Sequence, residues 1–265
     1  MVVQKVTTIL GIKATAEKEG IVLFSDTQIS INQEGKDVEK RTKNKIIVGS
    51  FWAMGFSGIL NSELIKFYNF LKGMKQYNSS PELVEKTVME AIEKKYFEKV
   101  NILNRNNRKN NVELNDLNIF LLAINKPTLK MYIIDEFGNL SFPTENNEIP
   151  YLTIGSTKIA EDYLENVIDK LDPDKFGIDS AIKIGFEAMR KAENDIHTGG
   201  PIDLVVLTKE NIKSYGKMIN NEIEKAYNNT IETISSKYSL HEELSFEETK
   251  QNKEIITEKQ HQEKE

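Results

Sequence analysis

The order of the expected strands and helices constrains the fold of this chain more than any other feature. Apolar runs of strand length form three groups, which are separated by two pairs of amphipathic segments of helix length. The strand groups cover residues 6–56, 119–154 and 202–215, and the helical pairs cover residues 58–96 and 158–193. Because strands and helices occur in runs and do not alternate, the pattern predicts an α+β fold. Two sheets stacked between layers of helices would accommodate this order.

Composition divides the chain near residue 220. Residues 221–265 contain eleven Glu, six Lys and few large apolar residues. This segment is therefore predicted to be an acidic extension that is helical or partly disordered. Residues 7–220 are predicted to form one folded domain, which is long enough to bury a sizeable core. Within it, Asp26–Thr42 is polar and is predicted to be a loop.

Composition also excludes several kinds of site and partner. The chain has no cysteine and three histidines, two of which, His241 and His261, lie in the acidic extension. The cysteines and histidines that a disulfide framework, a metal site or a Ser-His-Asp triad would need are therefore absent or nearly so. No cofactor is expected. The net charge of −6 argues against nucleic acid binding. No apolar run is long enough to span a membrane and the start is not a secretory signal, so a cytoplasmic protein is predicted.

One route to amide hydrolysis requires neither cysteine nor histidine. A threonine at the amino terminus of a chain can attack a carbonyl, with its own α-amine acting as the base. The reference pKa of an α-amine is about 7.7–8.0, so a free amine is close to the working pH without help. The requirement is that the chain be cut immediately before the threonine.

Six segments, in the same order and with similar spacing, resemble the proteasome β subunits and the bacterial protease HslV. The resemblance covers roughly residues 7–216 and implies the four-layer αββα sandwich of N-terminal-nucleophile hydrolases. The segments are Thr7–Ile12 with Gly20–Thr27, Asn44–Ile46, Met54–Gly58, Asp135–Gly138, Thr153–Ser156 and Asp195–Leu204.

The resemblance implies a catalytic centre built on Thr7. Thr7 matches the nucleophile, which becomes the amino terminus when the leader, residues 1–6, is removed. Asp26 matches the acid that pairs with a lysine, and Lys45 matches the lysine whose charge keeps the amine neutral enough to act as base. An ungapped count from the glycine turn points to Lys43 instead. Lys45 is preferred because an apolar residue follows it, as in the family.

A second group implied by the resemblance orients the amine and the attacking water. Its members are Ser156, Asp195 and Thr198. Ser156 has an alternative interpretation as the N-cap of a helix that begins at Lys158, and the two roles are compatible. Asp195 would otherwise be an acid near a helix C-terminus, where acids are disfavoured.

The resemblance also implies a substrate site. The Gly55 backbone N–H matches the donor to the oxyanion, and Ser30, Ala53 and Gly55 match residues that contact substrate. A small side chain at Ala53 would leave room for a large apolar P1 side chain.

These assignments predict a threonine peptidase that acts on polypeptides within a closed ring. The ring would contain copies of this chain or α-type ring subunits, and an AAA+ ATPase is a possible partner. Three alternatives remain open. They are a non-catalytic ring subunit that keeps its leader, a peptide ligase that uses the same acyl-enzyme, and an acylase that acts on small amides.

Overall fold

The computed structural model describes residues 8–16, 19–33, 36–42, 45–58, 62–74, 83–98, 118–135, 138–143, 149–194 and 198–215. The chain divides into two units, and all of these residues belong to the first, Met1–Glu222. The predicted leader, Thr7, Lys43, Asp195 and the acidic extension lie outside the described residues.

The described residues contain twelve strands and four α-helices. The strands are β1 (Thr8–Ala14), β2 (Gly20–Asp26), β3 (Gln28–Gln33), β4 (Lys36–Thr42), β5 (Ile46–Val48), β6 (Trp52–Ser57), β7 (Ile119–Ile124), β8 (Lys130–Ile134), β9 (Leu140–Ser141), β10 (Tyr151–Gly155), β11 (Ile202–Thr208) and β12 (Ile212–Ser214). The helices are α1 (Ser62–Met74), α2 (Val84–Ile92), which continues as a π-helical turn over Glu93–Phe97, α3 (Lys158–Ile168) and α4 (Ile178–Ala192). The prediction of an α+β fold is confirmed.

Two five-stranded antiparallel sheets form the core of the fold. The first sheet has the order β10-β1-β2-β11-β12, and the second has the order β5-β6-β7-β8-β9. The central strands β1 and β2 are buried along nearly their whole length. A strand that is apolar on both faces must be covered on both faces. The second sheet packs against one face of β1 and β2, and helix α4 packs against the other.

One apolar cluster joins the two sheets. It combines side chains of the first sheet, such as Ile9 and Leu23, with side chains of the second, such as Ala53 and Leu121. A second cluster covers the other face of the second sheet with α1, α2 and the π-helical turn. Alternate residues of β6 and β7 therefore enter different clusters, as the two-residue period of a strand requires.

Helix α4 packs against the first sheet at close range. A Cβ atom added at Gly185 would lie 2.1 Å from the Phe24 ring of β2, so only glycine permits this approach. The helix is amphipathic, and its buried positions include Ala181, Ala188 and Ala192. Small residues on this face bring the helix axis close to the sheet.

The segment predicted to be a polar loop, Asp26–Thr42, is instead mostly a hairpin. Strands β3 and β4 pair antiparallel, with Gln28 opposite Thr42 and Ser30 opposite Lys40. The prediction was wrong because it weighed polarity above alternation. Ile29 and Ile31 alternate with polar residues, which is the two-residue pattern of a strand.

Among the described helices, none is long and apolar enough to cross a membrane.

Candidate active site

Four strand ends meet at one edge of the first sheet. Neighbouring strands run antiparallel, so the starts of β1 and β11 lie beside the ends of β2 and β10. The register places Thr8 opposite Gly155, and Ile202 opposite Asp26. Residues that are far apart in the sequence are thereby brought to one place.

Asp26, the last residue of β2, is the centre of a buried polar network at this edge. Its Oδ1 atom accepts a hydrogen bond of 3.0 Å from the backbone N–H of Thr8. The backbone N–H of Gly199, in the loop before β11, also donates to the carboxylate. The Asp26 carboxylate therefore ties the start of β1 to the loop that precedes β11.

Lys45 reaches this carboxylate from the second sheet. Its Nζ atom lies 2.9 Å from both Oδ1 and Oδ2 of Asp26. The side chains of Lys45 and Asp26 are 0% and 2% exposed, so the ion pair is fully removed from water. Lys45 precedes β5, whose first residue, Ile46, pairs with Gly55 of β6. The ammonium group thus bridges the two sheets.

Burial acts on both members of this pair. Desolvation raises the pKa of Asp26 above its ordinary value, and this rise is opposed by the Lys45 ammonium and by the N–H groups of Thr8 and Gly199. Desolvation lowers the pKa of Lys45, and the Asp26 carboxylate opposes that change. A buried ion pair of this kind is weak evidence for a stabilising role, because its desolvation penalty is large.

A chain of hydroxyl groups adjoins the ion pair. The Thr8 Oγ1 atom lies 2.6 Å from the backbone carbonyl oxygen of Ser156 and 2.7 Å from Thr198 Oγ1. Thr8 is 0% exposed and Thr198 is 5% exposed. The Thr27 hydroxyl donates to the carbonyl oxygen of Pro201 at 2.7 Å. These bonds, together with the one from Gly199 to Asp26, hold the loop before β11 against the ends of β1 and β2.

The structure brings four of the predicted site residues together. Asp26, Lys45, Ser156 and Thr198 all surround Thr8, the first described residue of β1. Thr7 and Asp195 lie outside the described residues, so their roles stay predictions. The N-cap of α3 is Thr157, so the alternative interpretation of Ser156 as the cap is wrong by one residue.

The position of Gly55 argues against its predicted role as oxyanion donor. Gly55 lies within β6, opposite Ile46 on one side and Leu121 on the other, so its N–H points along the sheet toward a partner strand. Gly58 differs from Gly55 because it follows the last residue of β6 and has a φ of 128°. The register places this end of β6 on the Lys45 side of the fold.

The structure describes the surroundings of one of the other two predicted substrate contacts, Ala53. Ala53 is 0% exposed and packs within the cluster between the sheets. Its position therefore argues against the prediction that it lines a P1 pocket. Ser30 lies in the hairpin, opposite Lys40, and its predicted contact with substrate stays a prediction.

Sequence reasoning missed the hydrogen bonds of Thr8 and Gly199 and the burial of Asp203. Thr8 was treated only as part of the opening segment, although it makes three hydrogen bonds. Asp203 is a second buried carboxylate, 2% exposed, opposite Ser25 in the register. The available signal for Asp203 was an acidic residue inside an apolar strand, since such residues are almost never fully buried without a partner. Among the described residues, no cluster of His, Asp and Glu has the make-up of a metal site.

Comparison with known proteins gives a match in structure and none in sequence. No protein-family model matches the chain, and no curated protein matches it. The solved structure of Anbu (ancestral beta-subunit) from Yersinia bercovieri is similar, with a TM-score of 0.57. The match covers 86% of this chain and 97% of that chain, at 16% sequence identity. The shared property is the fold.

The sequence resemblance is corrected by these findings. It assigned the chain to the proteasome β subunits and HslV, but no family model or curated sequence supports that assignment. At 16% identity, few side chains remain to define a sequence family, whereas the order of strands and helices persists. What is supported is a distant structural relationship to Anbu and a proteasome-like fold.

Proposed function

We propose that this chain is a threonine peptidase whose nucleophile is Thr7, exposed when residues 1–6 are removed. The observation that carries the proposal is the buried Asp26–Lys45 pair bound directly to the backbone nitrogen of Thr8. Two further features support it. Hydroxyl groups surround the start of β1, and the fold resembles that of Anbu (ancestral beta-subunit).

The geometry suits an α-amine acting as the base. Lys45 Nζ and the Thr8 nitrogen contact the same carboxylate oxygen, so no more than about 6 Å separates them. The α-carbon of Thr7 is two covalent bonds from the Thr8 nitrogen, about 2.4 Å away. The Lys45 ammonium would favour the neutral form of an α-amine at the neighbouring residue, which is the form that accepts a proton.

The proposed reaction proceeds through an acyl-enzyme. The Thr7 oxygen attacks the scissile carbonyl carbon while the α-amine takes the hydroxyl proton, and the carbonyl electron pair moves onto oxygen. The α-ammonium then gives its proton to the leaving amine as the C–N bond breaks. Water then attacks the acyl carbon while the α-amine takes its proton. The proton is returned to the Thr7 oxygen as the ester bond breaks, and the carboxylic acid product is released. We assign Gly58, in place of Gly55, as the backbone donor to the oxyanion, because it lies past the end of the β6 ladder.

The larger setting of this site is also proposed. The two sheets and the helices that cover them would form a four-layer αββα sandwich, and the chain would assemble into a closed ring through heterologous contacts. Polypeptides are the proposed substrates, and an AAA+ ATPase is a possible partner that feeds them to the ring. Light scattering of the full-length protein tests the ring directly, because a monomer that hydrolyses peptides would contradict it.

Intact mass and peptide hydrolysis together test the proposed chemistry. Wild-type protein should lack residues 1–6 and should cleave fluorogenic tripeptide amides with an apolar P1 residue. Thr7→Ala should keep the leader and be inactive, whereas Thr7→Ser should retain part of the activity because serine supplies the same hydroxyl. A wild-type protein that keeps Met1 or Val2 and still cleaves peptides would contradict the mechanism. Analysis of the products would separate hydrolysis from ligation, and small non-peptide amides would detect an acylase.

A second candidate function is a non-catalytic ring subunit that retains its leader. The residue before Thr7 is Val6, and a β-branched side chain beside the scissile bond hinders self-cleavage. Full-length mass combined with a ring in light scattering and no hydrolysis would favour this candidate.

A further inference from the structure

Hydrogen atoms in the hydroxyl chain at the start of β1 have only one possible arrangement. Thr8 Oγ1 lies 2.6 Å from the carbonyl oxygen of Ser156. A carbonyl oxygen carries no hydrogen, so the hydrogen in this bond comes from the Thr8 hydroxyl. A hydroxyl has a single hydrogen. Thr8 therefore can only accept in its 2.7 Å contact with Thr198 Oγ1.

Thr198 consequently gives its own hydrogen to Thr8. The Thr198 oxygen is then left with acceptor capacity alone toward any third group. Burial keeps this order from being scrambled by solvent, since Thr8 is 0% exposed and Thr198 is 5% exposed. The Thr8 backbone N–H is held separately by Asp26, which fixes the position of the residue as well as its hydroxyl direction.

We propose that Thr8 is a positioning residue that makes the Thr198 hydroxyl accept a hydrogen bond from the Thr7 α-amine and prevents it from donating one. This inference rests on the proposed function, in which that amine is the base. An amine that donates to Thr198 keeps its lone pair for the Thr7 hydroxyl proton. An amine that accepts from Thr198 has its lone pair occupied and is a poorer base. Thr8 and Thr198 neither gain nor lose a proton in the reaction.

Thr8→Val is the decisive variant, because valine has the shape of threonine without its hydroxyl. Freed from Thr8, the Thr198 hydroxyl can donate to the amine. We expect kcat to fall about tenfold or more, in the range of general-base effects, with KM changed less than about twofold. The acid limb of the kcat/KM profile should move to lower pH, because donation to the lone pair stabilises the neutral amine. Thr8→Ser should restore most of kcat and should return the acid limb of the kcat/KM profile to its wild-type pH.

Thr15→Val supplies a matched control. Thr15 also donates a 2.6 Å hydrogen bond from its hydroxyl to a backbone carbonyl, that of Pro173, but it lies just beyond the opposite end of β1. Thr15→Val should lower Tm about as much as Thr8→Val and leave kcat and the pH profile unchanged. If Thr8→Val does not fold, Thr8→Cys replaces it. The cysteine thiol is a weak donor, so the same changes should appear at smaller size.

The outcomes separate this inference from the function on which it rests. If wild type hydrolyses peptides through Thr7 and the Thr8→Val variant keeps the wild-type kcat and acid limb, the inference is overturned and the proposed function stands. If wild type is inactive, or Thr7→Ala is active, the proposed function falls and this inference falls with it.

Discussion

The two ends of the first sheet carry ion pairs of opposite character. At the end where β1 begins, Lys45 and Asp26 are almost completely buried. At the end where β1 finishes, Lys209 Nζ lies 2.6 Å from a Glu19 carboxylate oxygen, and the two side chains are 59% and 43% exposed. The shorter contact therefore belongs to the pair that water screens more.

The two pairs differ in the desolvation that each requires. An exposed pair requires little desolvation and contributes little, so it needs no functional reason. A pair withdrawn from water carries a large penalty, and an apolar pair of similar volume would often serve stability as well. The chain places its buried pair where four strand ends meet, in contact with Thr8, the residue that follows the proposed nucleophile. This placement is the physical reason for proposing a catalytic role for the pair.

The largest expected effect comes from breaking the buried pair. Lys45→Met leaves Asp26 buried without a counter-charge, so we expect a loss of about 3–5 kcal/mol in the free energy of unfolding. Peptide hydrolysis should disappear even where the variant remains folded, because the amine loses its neighbouring positive charge. Urea unfolding and the peptide assay measure the two effects. Activity that survives in Lys45→Met would move the catalytic assignment to another lysine, and Lys43→Met tests the alternative.

An effect of intermediate size separates stability from chemistry. In Asp26→Asn/Lys45→Met, the asparagine oxygen can still accept from the N–H groups of Thr8 and Gly199, and neither of the two substituted positions carries a buried charge. The double variant should be more stable than Lys45→Met at pH 8 and should still be inactive. Recovery of hydrolysis in the double variant would show that the charge of Lys45 is unnecessary.

The same variants predict a dependence on pH. Burial raises the pKa of Asp26, and without Lys45 the main opposing charge is gone. A raised folded-state pKa gives stability that is present below the unfolded pKa and is lost as the pH rises through the folded value. Lys45→Met should therefore unfold more easily at pH 8 than at pH 5, and the Asp26→Asn/Lys45→Met variant should not share this slope. Equal slopes in the two variants would mean that Asp26 is not the titrating group.

The smallest expected effect comes from the exposed end. Lys209→Met should leave hydrolysis unchanged and should alter the urea midpoint by no more than the scatter between repeats. The Lys209 side chain lowers the pKa of Glu19 by hydrogen bonding to it, so any stability it contributes is lost as the pH falls. A large loss of stability at neutral pH would contradict the contrast between the two ends.

Local patterns predict most of the fold. The strand Ile119–Ile124 follows from a continuous apolar run, and the helix that begins at Lys158 follows from apolar periodicity. Both are confirmed. The hairpin of β3 and β4 was not predicted because its strands are polar on average. Only the alternation of apolar and polar residues identifies them as strands. The role of Gly185 was also invisible, since it depends on which strand a helix crosses.

Sequence predicts the site less completely than the fold, because a site depends on register between distant strands. The choice of Lys45 followed from the apolar residue after it, and the structure places its Nζ atom on Asp26. Ala53 and Gly55 were matched by the nearby glycine pattern alone. Which face of β6 each occupies, and where the ladder ends, required the pairing with β5 and β7.

The long separation between Thr8 and Thr198 has a consequence for the order of events during folding. The two hydroxyls meet across 190 residues of chain, and contacts of high sequence separation form slowly because loop closure must precede them. The pair Asp26–Lys45 spans only 19 residues. A newly made chain can therefore bring Asp26 and Lys45 together early, but it completes the environment of Thr8 only when β11 has paired with β2. Under the proposed function, self-cleavage that depends on this environment is delayed until the sheet is closed, so a partly folded chain would not yet remove its own leader.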